Sequence, residues 1–252
     1  EKVVWSPCGR YFAAAAGKKV MVNDKVIEME GTIYDISFLP ASKNIYSDTG
    51  DKVKQKQAST PERQLLAIAL YGGLTIVDAA TQTLWHRRFT VGSSAVLSFA
   101  ISPNGQSIGI GCHDKRLRVF EDVEALIANG SDGFGSNGID TRDAHDWIGM
   151  DGSVTRVAFG PDNQRLAALG GSMLLVIDRT SKWGEAPTIC SLHQDFEKKS
   201  ARSIKFKSFS WSTKDILVAS TDRFLHMFDL RATIDTVPKR LFPFSSISIE
   251  KH

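Results

Sequence analysis

The 252-residue sequence predicts an all-β fold of repeated antiparallel sheets, and three observations carry that prediction. One stretch, Val96 to Glu121, holds a strand, a turn, a second strand, a second turn and a third strand. The same pattern appears in five copies along the chain. Inside the copies the interval from first turn to closing residue is nearly constant: Pro7 to Asp24, Pro103 to Glu121, Pro161 to Asp178 and Thr213 to Asp229 span 17, 18, 17 and 16 residues. A spacing held this closely marks one supersecondary unit used repeatedly.

The unit is clearest in Val96 to Glu121. Its first apolar run ends in Ser102-Pro103-Asn104-Gly105, where proline sets φ at the first corner and Asn-Gly supplies the positive φ that closes a hairpin. Ser107 to Gly111 follows as a second strand. His113-Asp114-Lys115 then turns the chain, with Asp114 able to bond its own backbone two residues on, and Leu117, Val119 and Glu121 alternate with Arg116, Arg118 and Phe120.

The other copies follow in order. The first runs from Val3 through Trp5-Ser6-Pro7 and Tyr11 to Ala15 to the closing Asp24. The second starts at Ile36-Ser37-Phe38-Leu39-Pro40, resumes at Leu65 to Leu70 and closes at Asp78, its longer interval absorbed by the polar segment Ala41 to Gln64. The fourth reads Val157 to Asp162, Arg165 to Leu169 and Leu174 to Asp178, and the fifth Phe209 to Thr213, Ile216 to Ser220 and Leu225 to Asp229. Outer fourth strands are expected at Val26 to Met29, Thr83 to Phe89, Thr188 to Leu192 and Arg240 to Phe244. Closing acids recurring every 43 to 57 residues fit the four-stranded blades of a β-propeller with insertions. The expected layout is a single propeller domain over 1–252, with blades near 3–32, 33–92, 93–152, 153–202 and 203–244. Insertions fall at 41–64, 122–151 and 180–202, and a tail at 245–252.

Trp5-Ser6-Pro7-Cys8-Gly9-Arg10-Tyr11 and Phe159-Gly160-Pro161-Asp162-Asn163-Gln164-Arg165 resemble the first-hairpin signature of WD-repeat propellers, and the third-strand endings are similar. The pattern is degenerate. Asn23, Val77, Phe120, Ile177 and Phe228 stand where the family has tryptophan, no Gly-His dipeptide occurs, and the tight-turn acid is matched only at Asp114 and Asp222. The resemblance implies a WD-repeat-like ring of the seven-bladed type, of which five blades are recognisable here, so the ring is expected to be incomplete or completed by a partner. An open ring leaves unpaired edges to be covered. The candidates are further residues of the same polypeptide, the alternating tail Ser245 to Glu250 added as a strand, or a partner completing the sheet. The chain opens at Glu1, so the absence of a leader peptide carries no weight.

Composition is that of a globular protein. Apolar runs are four to seven residues long, far below the roughly 18–20 needed for a membrane-spanning helix, so no membrane span is expected. Cys8, Cys112 and Cys190 are odd in number, far apart and without CxxC spacing, which argues against a disulfide framework or structural zinc and for a reducing compartment. The net charge of +3 permits contact with nucleic acid without demanding it.

Motifs that invite chemistry have plainer accounts. Gly133-Phe134-Gly135-Ser136-Asn137-Gly138 matches GxGxxG but lacks the strand before and the helix after that a pyrophosphate site requires. Asp140, Asp143, His145, Asp146 and Asp151 gather acids without the spacing of a calcium loop. Cys112-His113-Asp114 are adjacent on one turn and cannot act as nucleophile, base and orienter on a common substrate. His226 alternates within a strand as a structural residue. No catalytic residue, cofactor or metal ligand is therefore expected, and the protein is read as a non-enzyme.

Trp5 and Trp211 occupy equivalent inner-strand positions and are expected in the core, with Trp85 on an outer strand. Trp147 and Trp183 lie in insertions, where a large aromatic either pins its loop or anchors a partner. Basic residues group at Arg87-Arg88 and at Lys198, Lys199, Arg202, Lys205 and Lys207. In a strand, Lys205 and Lys207 would project to the same side around Phe206. These residues make up the candidate interaction set of a scaffold or adaptor subunit that binds other protein subunits in a hetero-oligomeric complex. The family resemblance implies a eukaryotic-type intracellular protein, cytoplasmic or nuclear. The alternative is an RNA-associated propeller subunit, in RNA modification or ribosome assembly, contacting RNA through its basic patches.

Overall fold

A computed structural model describes residues 1–40, 64–121, 123, 145–147, 149–179, 187–190, 205–232 and 239–249, the side chains of 83–93, 147, 232, 239 and 240 excepted. The first sheet holds β1 (Lys2–Trp5), β2 (Phe12–Ala16), β3 (Lys19–Val22) and β4 (Lys25–Glu28), each antiparallel to the next. A six-stranded sheet follows, in chain order β5 (Asp35–Phe38), β6 (Leu65–Asp78), β7 (Thr83–Ile101), β8 (Ser107–Cys112), β9 (Leu117–Glu121) and β10 (His145–Trp147). The five-stranded sheet is built from β11 (Val154–Phe159), β12 (Arg165–Gly170), β13 (Met173–Asp178) and β14 (Thr188–Cys190), with a later strand added beside β14. The last sheet joins β15 (Ser208–Trp211), β16 (Ile216–Ser220) and β17 (Phe224–Asp229) to the chain's final strand. Those two later strands are β18 (Lys239–Leu241) and β19 (Ser245–Ser248) respectively.

Two long strands in the six-stranded sheet each serve two neighbours. Ala79 N–H donates to Gln64 O at 2.9 Å, yet a straight run between them would hold the two ends about 50 Å apart. β6 therefore folds back on itself near Gly72, whose φ of 77° suits glycine. The first half of β7 pairs with β6 (Asp78 opposite Thr83, Leu74 opposite Phe89), and its second half pairs with β8 (Val96 opposite Cys112, Ile101 opposite Ile108). The hairpin corners behave as their sequences require. Gly105 has φ 76°, its N–H donates to Ser102 O at 2.8 Å, and Asp114 accepts from Arg116 N–H at 3.3 Å, two residues on.

Apolar runs are continuous because most sheets bury both faces. Leu66, Ile68 and Leu70 pack with Ala13, Val20 and Val22 of the first sheet. Their alternates Leu65, Ala67 and Ala69 pack instead with Val96, Phe99, Ile108 and Ile110. Leu166 and Ala168 join Leu117, Val119 and Val154, whereas Ala167 and Leu169 join Phe209, Leu217, Ala219 and Phe228. Four apolar layers thus alternate with sheets along the chain, and each fully buried Leu, Ile or Phe contributes about 1.5–3 kcal/mol.

Polar groups stitch the layers. Asp35 is 6% exposed, pairs with Lys2, and accepts from Ile36 N–H at 2.9 Å and Phe99 N–H at 3.1 Å. Arg165 reaches Asp215 at 2.9 Å and Asp178 at 3.5 Å. Of the closing acids, Asp78 accepts from Ala80 N–H at 2.8 Å, Asp229 from Arg231 N–H at 3.0 Å, and Glu121 pairs with Arg179 at 2.9 Å.

The end of the chain departs from expectation. The outer strand of the last repeat was expected at Arg240 to Phe244. Instead β18 runs parallel to β14, with Cys190 opposite Leu241, and Leu241 is buried between the last two sheets. The tail supplies the fourth strand, Leu225 facing Ile247 and His226 facing Ser246. The alternating tail was one of the covers expected for an open edge, and it takes its place on β17.

Candidate functional site

Arg118, on β9, organises the best-defined polar constellation. Its side chain is 6% exposed, with Nη1 donating to Cys112 Sγ at 3.0 Å and Nη2 to Asp114 Oδ2 at 3.1 Å. Its Nε lies 3.1 Å from Asp146 Oδ1, and Arg116 Nη1 donates to Asp146 Oδ2 at 3.1 Å. Asp146 sits on β10, so these contacts clamp that short strand to β9, where Trp147 lies opposite Leu117. Burial pushes the Cys112 thiol up to about 11 against the opposing influence of Arg118, so it stays a protonated thiol at neutral pH. The Cys-His-Asp corner therefore works as a turn and a clamp, not as a nucleophile with its base.

The acids read as a loose cluster are divided among separate partners. Asp146 is held by the two arginines. Asp151 bonds the Ser172 hydroxyl and accepts Met173 N–H at 3.2 Å. Asp140, Asp143 and the GxGxxG stretch at 133–138 lie outside the described residues. Among the described residues no three His, Cys, Asp or Glu side chains gather as a metal cage, and the three cysteines are free thiols. His226, 8% exposed, shares a hydrogen bond with Ser246 Oγ at 2.8 Å and lies 3.5 Å from Thr221 Oγ1. Burial lowers its pKa, so it remains a neutral clasp on β19.

Arg87 and Arg88 lie in the first half of β7, where the register with β6 shifts, and Trp147 lies in β10 opposite Leu117, with all three side chains outside the described set. Trp183, Lys198, Lys199 and Arg202 also lie outside the described residues. Lys205 and Lys207 are exposed around Phe206, which is 5% exposed, as their alternation requires. They precede β15 instead of lying within it, although Lys207 N–H still donates to Ser220 O at 2.8 Å. Lys207 also pairs with Asp222 at 3.4 Å.

Trp5 corrects the sequence reading. It was expected in the core with Trp211, and it is 66% exposed. Trp211 is partly buried, with Nε1 donating to Ala158 O of the neighbouring sheet at 3.0 Å. Among the described residues the Trp5 ring meets that of Phe12 in a tilted contact, ring centres 5.6 Å apart. The two are equivalent within their repeats, so the difference lies in what faces them. Equivalent sequence position was the signal for a shared role, but burial depends on the neighbouring sheet.

Stacked four- to six-stranded sheets, antiparallel except where β18 joins β14, and tied by hairpin corners and arginine clamps, define the class as a repeat protein consistent with a β-propeller. Residues 85–121 match the family model WD domain, G-beta repeat. The match covers one repeat of the chain, and the other copies resemble it in degenerate form. The matched segment begins in the half of β7 paired to β6 and ends with β9, so one sequence repeat bridges two neighbouring groups of strands. No curated protein matches the chain. Repeats of this family generally mediate binding to protein partners. No helix among the described residues is long and apolar enough to cross a membrane.

Proposed function

We propose that this protein is a non-catalytic scaffold or adaptor that binds other protein subunits inside a hetero-oligomeric intracellular complex, cytoplasmic or nuclear. What supports this reading is the WD-repeat match over residues 85–121, set in a framework of sheets buried on both faces. On this reading the strands make up five blades of an open, seven-bladed type of ring, with the folded-back β6 and the shared β7 supplying the second and third and β18 adding a fifth strand to the fourth. Trp147, on a strand clamped by Arg118, and Trp183 act as anchors. Mutating both to alanine should leave thermal unfolding unchanged and remove subunits that co-purify at fixed stoichiometry. Undiminished co-purification would overturn the assignment.

A second reading has a narrower basis. Lys205 and Lys207 both face solvent, and with Lys198, Lys199, Arg202, Arg87 and Arg88 they would form a phosphate-tracking surface on RNA. Reversing the charge of Lys198, Lys199, Lys205 and Lys207 should then weaken binding to a single-stranded RNA and flatten its salt dependence. Binding that ignores both salt and charge reversal would reject this reading.

A further inference from the structure

The first strands of neighbouring repeats are joined by a polar device that recurs at one position. Three residues before Phe38, Ile101, Phe159 and Trp211 stand Asp35, Ser98, Arg156 and Ser208. The residue after each of these, Ile36, Phe99, Val157 or Phe209, turns its N–H away from the hairpin partner of its strand. On β15 the phase is set by Ser212 N–H, which donates to Ile216 O at 2.9 Å. Ser208 and Ser210 therefore carry the ladder to β16, and Phe209 N–H points the other way.

An N–H of this kind needs an oxygen from elsewhere. Asp35 supplies two, Oδ1 to Ile36 N–H at 2.9 Å and Oδ2 to Phe99 N–H at 3.1 Å. Ser98 Oγ supplies the next, to Val157 N–H at 3.2 Å. Arg156 holds the same position one repeat later, and an arginine side chain has donors and no acceptor. Its guanidinium carbon instead lies 5.6 Å from the centre of the Phe209 ring. Arg156 is exposed, and among the described residues it meets no carboxylate, while no side-chain oxygen accepts Phe209 N–H.

We infer that the junction of β11 and β15 is a recognition site for a carboxylate, an aspartate or glutamate side chain presented by an acidic segment of a partner protein. Asp35 shows the arrangement that such a group completes. Its carboxylate takes the Lys2 ammonium of the preceding repeat together with N–H groups of its own strand and of the following one. Arg156 stands to β15 as Lys2 stands to β5, and Phe209 N–H as Ile36 N–H. Cation and N–H are both in place, and the carboxylate is missing because Ser208 holds its position. Charge-assisted hydrogen bonds of this kind are about twice as strong as neutral ones. A phosphate backbone fits less well, because Lys207, the exposed cation two residues before Phe209, already pairs with Asp222 at 3.4 Å, and that carboxylate repels a polyanion.

This rests on the adaptor reading and names the chemistry of its partner. Ser208→Asp tests the site without a partner, since it places a carboxylate where Asp35 stands in its own repeat. The melting temperature should rise by about 2–6 °C, and the gain should vanish when Arg156→Gln is added. Binding is read from the backbone amide shifts of the full chain during titration with a capped Gly-Asp-Asp-Gly peptide. The Phe209 amide proton should move downfield and saturate, and a Gly-Asn-Asn-Gly peptide should leave it in place. Arg156→Gln and Ser208→Asp should each weaken the response about tenfold or more. A Ser208→Asp protein no more stable than the parent, a Phe209 amide indifferent to the acidic peptide, or one that answers a single-stranded RNA instead overturns the inference. The adaptor reading fails separately, through subunits that still co-purify after loss of Trp147 and Trp183.

Discussion

Gly111→Ala tests how closely β8 approaches β11. A Cβ on Gly111 would lie 2.6 Å from Val154 Cγ1, 2.8 Å from Val154 O and 2.9 Å from Val157 Cγ2. Ordinary contact lies near 3.5–4.0 Å, so the neighbours must retreat by roughly 1 Å. Val154 is 0% exposed and packed among Leu117, Val119 and Leu166, and its carbonyl belongs to the backbone. The sheets must therefore part, which costs about 2–3 kcal/mol, the upper range for overpacking. At about 2–4 °C per kcal/mol for a chain of this size, the melting temperature should fall by about 4–12 °C. Gly109→Ala is the internal control. Its Cβ meets Leu166 Cδ2 at 2.8 Å and Leu166 Cδ1 at 3.0 Å, and these flexible side-chain ends can move, so its cost should be about 1 kcal/mol. Denaturant midpoints at constant m-value give both numbers. If Gly111→Ala proves the milder of the two, the close approach described between β8 and β11 is wrong.

Arg118→Gln should loosen β10 by leaving Asp114 and Asp146 without their shared cation, at a cost of about 1–2 kcal/mol because both carboxylates reach water. Amide exchange at His145 to Trp147 should accelerate, and unchanged protection there would show that the clamp is idle. Acidification should act through His226, whose pKa is lowered from 6.5 by burial. The unfolded chain then binds a proton more readily than the folded one, so this contribution to stability is present above pH 6.5 and falls as the pH drops through it. Protection factors of the Ser246 to Ser248 amides, taken relative to intrinsic exchange at each pH, should fall over that window in the parent and stay level in His226→Asn.

Much of the fold was legible in sequence because it rests on local rules. Ser102-Pro103-Asn104-Gly105 closes its hairpin through a glycine at φ 76°, and Lys205 and Lys207 are exposed on either side of Phe206 through period-two alternation. Pairing at the end of the chain was not legible. Arg240-Leu241 and Ser245 to Ser248 are both short alternating runs, and either could serve as an outer strand. Leu241 went to the adjacent sheet because an apolar layer there could bury it, which left the tail for β17. The clamp on Trp147 was equally hidden, since Asp146 and Arg118 are distant in sequence and meet only when β10 pairs with β9.

The sequence by itself determined the repeat, the inner strands of its copies, its hairpin chemistry and the absence of CxxC pairing, all of which depend on residues a few positions apart. Only the tertiary structure decided which apolar faces find a neighbour. Trp5 and Trp211 are the same residue in the same place of the same motif, yet the indole of Trp211 rests on the preceding sheet and bonds Ala158 O, while that of Trp5 faces solvent. Alternation dictates which face of a strand a side chain occupies. Burial also requires a second surface, and that surface is set by how the sheets stack.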